Sequence, residues 1–184
     1  MTCPLPSGMD EPSLLGAHLV SPEPEAFLAT GEAAIKQLPT LVGMMVVNRL
    51  EGDLRRKPRS GDWSAIEIVG HLCDKMTIWR DRFIRTVSED SPFLESYDQD
   101  LMVRQHGYQT AQLADVLAKL RLACESFAST ISSGRPADLD KCGSHSDFGR
   151  ISAADCIRIP IEAAKDHLAQ IGRVLTTDID QSAT

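Results

Sequence analysis

The sequence predicts an all-α fold, a four-helix bundle formed by a single domain. Apolar residues recur every three or four positions in four separate stretches, which is the spacing of an amphipathic helix. No two stretches look like a convincing pair of strands. The chain has 184 residues, 42% of them hydrophobic, and a chain of this size can bury a core of its own.

The first helix is predicted from about Glu25 to about Leu50. Its apolar residues at helical spacing are Phe27, Ile35, Leu38, Leu41, Val42, Met45 and Val46. Pro39 lies inside this stretch and cannot donate an intrahelical hydrogen bond. We therefore expect a kink or a break near Leu38.

The second helix is predicted to begin at Ser64. Ser64 is a good N-cap, and Glu67 lies three residues further on, so the two side chains can form a capping box. Residues 90–107 follow this helix as a long irregular loop. Loops of that length often have a function or cover a site.

The third helix is predicted from about Thr110 to Ser132, and the fourth from Ser152 or Ala153 to about Thr176. Pro160 lies inside the fourth helix and predicts a second kink. Four helices of about this length favour a bundle.

The predicted bundle domain covers residues 25–177. Residues 1–24, which are rich in proline, are expected to form a flexible, irregular N-terminal arm. Residues 178–184 are expected to form a frayed tail.

The net charge of the chain and the length of its apolar runs argue against two classes of partner. The formal net charge is −7 and no basic stripe is present, whereas nucleic-acid binders gain affinity from basic surfaces. The only basic cluster, residues 55–59, is interpreted as a solvated loop in preference to a phosphate contact. No run approaches the roughly 18 apolar residues of a membrane span. We expect neither nucleic acid nor membrane as a partner.

The N-terminus and the cysteines indicate a cytoplasmic, reducing location. The N-terminus has no cationic start and no continuous apolar run, so it does not resemble a signal peptide. The five cysteines are odd in number and show no CxxC spacing. This pattern favours buried thiols over a disulfide framework or a cysteine-rich zinc site.

His71 is the first candidate for chemistry. It lies one turn after Glu67 in the second helix, so the two side chains share a face beside the apolar stripe. His167 lies in the second half of the fourth helix. Two histidines on different helices of a bundle can converge on a metal in the core. The spacing alone leaves open a structural role for both histidines and a purely capping role for Glu67, because no HExxH or ExxH motif is present.

The remaining polar candidates receive weaker interpretations. His106 and His145 fall in predicted loops and are expected at the surface. Asp98 and Asp100 can point the same way in an extended loop, although solvation is favoured over acid–base work. No serine or cysteine lies in a GxSxG setting, so nothing supports hydrolysis by a covalent triad.

Several segments together resemble the DinB-like proteins, the YfiT-type bundles. The second helix of that family is similar to Trp63–Leu72 followed by Trp79 and Arg82, and its next loop to Ser91–Tyr108. The entry and core of its last helix are similar to Phe148–Ser152 and Asp166–Ile171. The resemblance covers roughly residues 25–176.

The resemblance implies an up-down-down-up bundle that is often a homodimer. It also implies a divalent metal, nickel or zinc, on three histidines, of which His71 and His167 match two. The third position of the family pattern, four residues before His167, is Ala163, which has no ligand atom. Two histidines fall short of the three protein ligands usual in catalytic zinc sites. Glu67, Glu162, His106 or a water remain possible substitutes.

Two functions therefore stay open. In the first, a core pocket around His71 and His167, with Glu67 as a third ligand or general base, binds a divalent metal. Such a site would support hydrolase-type chemistry or the transfer chemistry of small thiols that the resemblance implies. In the second, the chain is a non-catalytic module for a small ligand or for dimerisation. Its metal site would then be degenerate, because Ala163 replaces the third histidine.

Overall fold

The computed structural model describes residues 23–176 and confirms the all-α prediction. The four long helices are α1 (Pro24–Val46), α3 (Ala65–Ser88), α5 (Leu113–Ser132) and α6 (Ala153–Thr176). Two short helices, α2 (Glu51–Arg55) and α4 (Gln99–Gln105), lie in the connections. The predicted arm, except for residues 23 and 24, and the predicted tail lie outside the described residues.

The long helices form a four-helix bundle in which α1 and α3 lie diagonally. Each of these two helices packs against both α5 and α6. The core is filled mainly by aliphatic side chains, with Trp79, Phe83, Tyr108 and Phe127 as its aromatic members. The contact between α3 and α6 matters most for function, because it joins the two helices that carry the candidate histidines.

Neither proline breaks its helix. α1 continues through Pro39 and α6 continues through Pro160, so the break considered near Leu38 is absent. A proline inside a helix costs one backbone hydrogen bond. Burial offsets this cost here, because Leu38 and Val42 flank the first proline in the core and Pro160 is itself buried.

The sequence interpretation that no strands pair is wrong. β1 (Phe93–Leu94), β2 (Cys142–His145) and β3 (Gly149–Ser152) form a small sheet in which β2 is parallel to β1 and antiparallel to β3. Strands of two to four residues are too short to show alternation in the sequence. The predicted loop at 90–107 accordingly contains β1 and α4, and Asp98 caps α4 by accepting from the backbone N–H of Leu101 at 2.8 Å.

The predicted buried thiols are confirmed for three cysteines. The four cysteines within residues 23–176 are free, and Cys73, Cys124 and Cys156 are buried. Burial raises the pKa of Cys73 and Cys124 to about 12 and that of Cys156 to about 11, so these thiols stay protonated at neutral pH. Cys142 is half-buried in β2.

Within residues 23–176, no helix combines the length and the apolar character that crossing a membrane requires.

A glycine-to-alanine pair tests the packing of α3. A Cβ at Gly70 would lie 2.1 Å from the ring of Tyr108, whereas a Cβ at Gly43 of α1 would meet nothing within 4 Å. Gly70→Ala is expected to lower the free energy of unfolding by about 1–3 kcal/mol, because the Tyr108 ring must move. Gly43→Ala is expected to be neutral or stabilising by up to about 1 kcal/mol. Equal effects of the two changes in urea unfolding would contradict this packing.

Candidate metal centre

The structure brings His71 and His167 together at the contact between α3 and α6. His71 is 1% exposed, and the centroids of the two imidazole rings lie 4.8 Å apart, with the rings nearly perpendicular. The ring of Trp63 lies on His71 as well, at a centroid distance of 4.7 Å. His71 is therefore enclosed between an indole and a second imidazole.

The nitrogen atoms of the two histidines are suited to binding a metal. His71 Nε2 is buried and has no hydrogen-bond partner in the part of the chain that the structure describes. Burial, and then the nearby His167 and Lys75, lower the pKa of His71 to about 3, so its ring is neutral at physiological pH. Neutral imidazole is the form that binds metals.

His167 is half-buried, and its ring orientation is fixed by a neighbour on α6. Its Nδ1 lies 3.1 Å from Gln170 Oε1, so Nδ1 carries the proton and donates to that oxygen. The other ring nitrogen, Nε2, then has a free lone pair. Burial is the main cause that lowers the pKa of His167, which keeps this ring neutral too.

Glu67 is close in sequence to His71, but its carboxylate is engaged elsewhere. Its Oε2 accepts from the backbone N–H and the hydroxyl of Ser64, at 2.8 and 3.0 Å, which completes the predicted capping box. Its Oε1 pairs with Lys57 Nζ at 2.8 Å. To become a third ligand, Glu67 would have to leave both partners.

The other substitutes for the third ligand are also engaged away from the histidine pair. His106 is exposed, and its Nδ1 lies 3.0 Å from Asp74. Glu162 is exposed and pairs with Arg158 at 3.1 Å. Within residues 23–176, no three His, Cys, Asp or Glu side chains lie close enough together to hold a metal ion. The pair is thus a two-nitrogen site.

The basic cluster at 55–59 is more than a solvated loop, since three of its members pair with carboxylates. Arg55 and Arg56 pair with Glu51 and Asp53, and Lys57 with Glu67. The fourth member, Arg59, lines an open cleft of about 800 Å³ that also reaches Trp63 and His167. This cleft gives solvent and ligands a route to the histidine pair.

Two neighbours of the site were missed or misplaced by sequence reasoning. Lys75 is 9% exposed and lies one turn after His71, so its helical spacing could have identified it. His145 was expected at the surface, and this expectation is wrong: it is 3% exposed and stacks on Trp79 at 6.0 Å. Because β2, the strand that contains His145, was not predicted, the burial of this side chain could not be predicted either.

A family model described as the DinB superfamily matches residues 42–171 of the chain. The chain belongs to the DinB superfamily. The match covers the last turn of α1, most of α6 and everything between them, so it includes both candidate histidines.

One protein and one solved structure are similar to this DinB-superfamily chain. A protein of Oceanobacillus iheyensis named "Putative metal-dependent hydrolase OB0782" is 25% identical over 137 residues, which cover 74% of this chain and 79% of that protein. The solved structure of YfiT from Bacillus subtilis is described as "a probable metal-dependent hydrolase with an unusual four-helix bundle topology". It matches with a TM-score of 0.75 and 18% identity over 88% of this chain and 91% of YfiT. The predicted up-down-down-up bundle is thereby confirmed.

A double-mutant cycle tests the role of Glu67. Glu67→Ala and Ser64→Ala are each expected to lower the free energy of unfolding by about 1–2 kcal/mol, and the double variant by less than their sum, because the side chains bond to each other. Glu125→Ala, which removes an exposed ion pair on α5, is the control and should cost at most about 1 kcal/mol. Strict additivity in urea unfolding would show that the capping box contributes no coupling.

Proposed function

We propose that this DinB-superfamily chain binds a divalent metal ion, zinc or nickel, between His71 and His167, and that the site supports hydrolase-type or thiol-transfer chemistry. The observation that carries the proposal is the buried Nε2 of His71, which has no hydrogen-bond partner among the described residues, on a ring that packs nearly perpendicular to a second neutral imidazole. Leaving a buried polar atom unpaired costs about 1–3 kcal/mol, and a metal ion would remove that cost. The printed descriptions of the two relatives, one as a "putative" and one as a "probable" metal-dependent hydrolase, support the same interpretation.

A divalent metal lowers the pKa of a bound water or thiol, so that a nucleophile is available at neutral pH. His71 and His167 would hold the ion through their free ring nitrogens. Gln170 fixes the orientation of the His167 ring through the Nδ1–H, a role that neighbours of metal-binding histidines commonly have. Trp63 covers His71 and excludes water from one side of its ring.

The structure also explains why such a site should bind metal weakly. Ala163 contributes no ligand, so only two protein atoms are offered, against three in most catalytic zinc sites. Lys75 adds a positive charge close enough to lower the pKa of both histidines. A divalent cation would be repelled by the same charge.

Ala163 and Lys75 also favour the second candidate function, a non-catalytic module. Ala163 lines a cavity beside the histidines where a longer side chain would fill space. A cavity with a lysine at its wall suits a small ligand rather than a metal. In this alternative, the bundle binds a small molecule or forms a homodimer, and the histidine pair is a remnant.

Metal titration of untagged protein tests the first proposal. After treatment with a chelator, the chain is expected to approach one zinc ion per protomer in a calorimetric titration when zinc is in excess, because a site with two protein ligands binds weakly. His71→Ala and His167→Ala should each abolish uptake, whereas His106→Ala, which changes an exposed histidine elsewhere, should not. Low uptake that His71→Ala leaves unchanged would refute the proposal.

Ala163→His separates the two candidates. It restores a histidine one turn before His167, so it should strengthen zinc binding by about tenfold or more. If the parent chain binds no zinc while Ala163→His does, the site of the parent is degenerate and the non-catalytic function is favoured. If Ala163→His has no effect on zinc affinity, position 163 does not face the metal.

A further inference from the structure

A second cavity lies beside the histidine pair and has a different chemical character. It measures about 140 Å³ and is enclosed by α3, α6, the residues before α4 and the turn between β2 and β3. Several lining residues carry hydrogen-bond donors. We call four of them the donor cluster: Lys75, Arg82, Tyr97 and His145. The cavity does not include His71 or His167, and its interpretation does not depend on a metal.

Two members of the donor cluster hold buried donors that have no partner. His145 Nδ1 accepts the backbone N–H of Asp147 at 3.0 Å, so the ring proton is on Nε2, which is buried and unpaired. The hydroxyl of Tyr97 is likewise buried and unpaired within residues 23–176. Burial raises the pKa of Tyr97 to about 12, so the hydroxyl keeps its proton at neutral pH. Both groups therefore need an acceptor.

The other two members of the donor cluster supply positive charge. Arg82 is buried, donates to the carbonyl oxygen of Glu95 at 2.6 Å and lies 4.6 Å from the Trp79 ring centroid. Lys75 is buried and makes no ion pair or hydrogen bond with the residues that the structure describes. Among the described residues that line the cavity, Asp147 is the one acidic side chain, and it is exposed. Asp166, whose charge also acts on Lys75, is exposed and does not line the cavity. Two buried cations against one lining carboxylate, which is exposed, favour an anion inside.

The cavity also has apolar lining residues, and its volume sets the size of the ligand. Trp79, Phe148, Ile159 and Ala163 are the apolar side chains that line it. A dry cavity of about 150 Å³ holds benzene, so a cavity of about 140 Å³ accepts a ligand of that size. An inorganic anion would leave the apolar walls uncovered.

We propose that this cavity binds a small organic monocarboxylate whose apolar body is no larger than a benzene ring. Its carboxylate would accept from the donor cluster, and its apolar body would contact the indole and aliphatic walls. Charge-assisted hydrogen bonds to a carboxylate are about twice as strong as neutral ones, so the charged end provides most of the selectivity.

Benzoate is the probe, and calorimetry on chelator-treated protein is the measurement. Benzoate is expected to bind saturably, and benzyl alcohol, which has a similar size and no charge, about tenfold more weakly or less. Inorganic phosphate should compete poorly, because it cannot fill the apolar part. Equal affinities for benzoate and benzyl alcohol, or competition by phosphate as strong as that of benzoate itself, would overturn the proposal.

Matched variants assign the binding to this cavity. Lys75→Met removes a buried charge of the donor cluster, and Tyr97→Phe removes only a hydroxyl; each should weaken benzoate by about tenfold. Lys36→Met removes the same charge from the surface of α1 and should have no effect. Thermal unfolding checks that Lys75→Met remains folded, as expected when an unpartnered buried charge is removed. Benzoate affinity that is the same in the Lys75→Met and Lys36→Met variants would overturn the proposal.

Because the protein is free of metal in this experiment, its outcome is separate from that of the zinc titration. Benzoate binding with no zinc uptake would support the carboxylate cavity alone. Zinc uptake without benzoate binding would leave the metal proposal standing and overturn this one.

Discussion

The burial of α3 on nearly every side is the constraint on which the rest of the structure depends. A helix so enclosed must give each of its polar side chains a partner, because burial without one costs free energy. Glu67 is satisfied by Ser64 and Lys57 at the start of the helix. Two turns later, Asp74 accepts from Tyr108 at 2.7 Å and lies within 3.4 Å of Lys119. These contacts fix how the connections pack on the bundle.

Two polar residues of α3 break this pattern. His71 has an unpaired Nε2, and Lys75, one turn further on, makes no ion pair or hydrogen bond within residues 23–176. Burial is the largest cause that lowers the pKa of each. Unpaired polar groups persist where a ligand can supply the missing contact. Here His71 suits a cation and Lys75 suits an anion. Ala163 of α6, where the family resemblance implies a third histidine, lines the cavity in which Lys75 lies.

The helices and the histidine pair could be anticipated from the sequence, whereas the connections could not. Helical spacing and the Ser64–Glu67 cap determine α3, and the resemblance to a known family supplied His167 as the partner of His71. Strands of two to four residues leave no periodic signal, so β2 and the burial of His145 were missed. The possible break near Leu38 was wrong, because α1 continues through Pro39, where the packing of buried turns outweighs one lost backbone hydrogen bond.

In the proposed metal site, two imidazoles and no third side chain would hold the ion. X-ray absorption spectroscopy of the zinc-loaded protein measures the number and type of atoms bound to the ion. The structure predicts two histidine nitrogens, with oxygen or an added thiol in the remaining positions. Three or more histidine nitrogens, a sulfur from one of the buried cysteines, or a zinc ion bound only by oxygen would contradict the account.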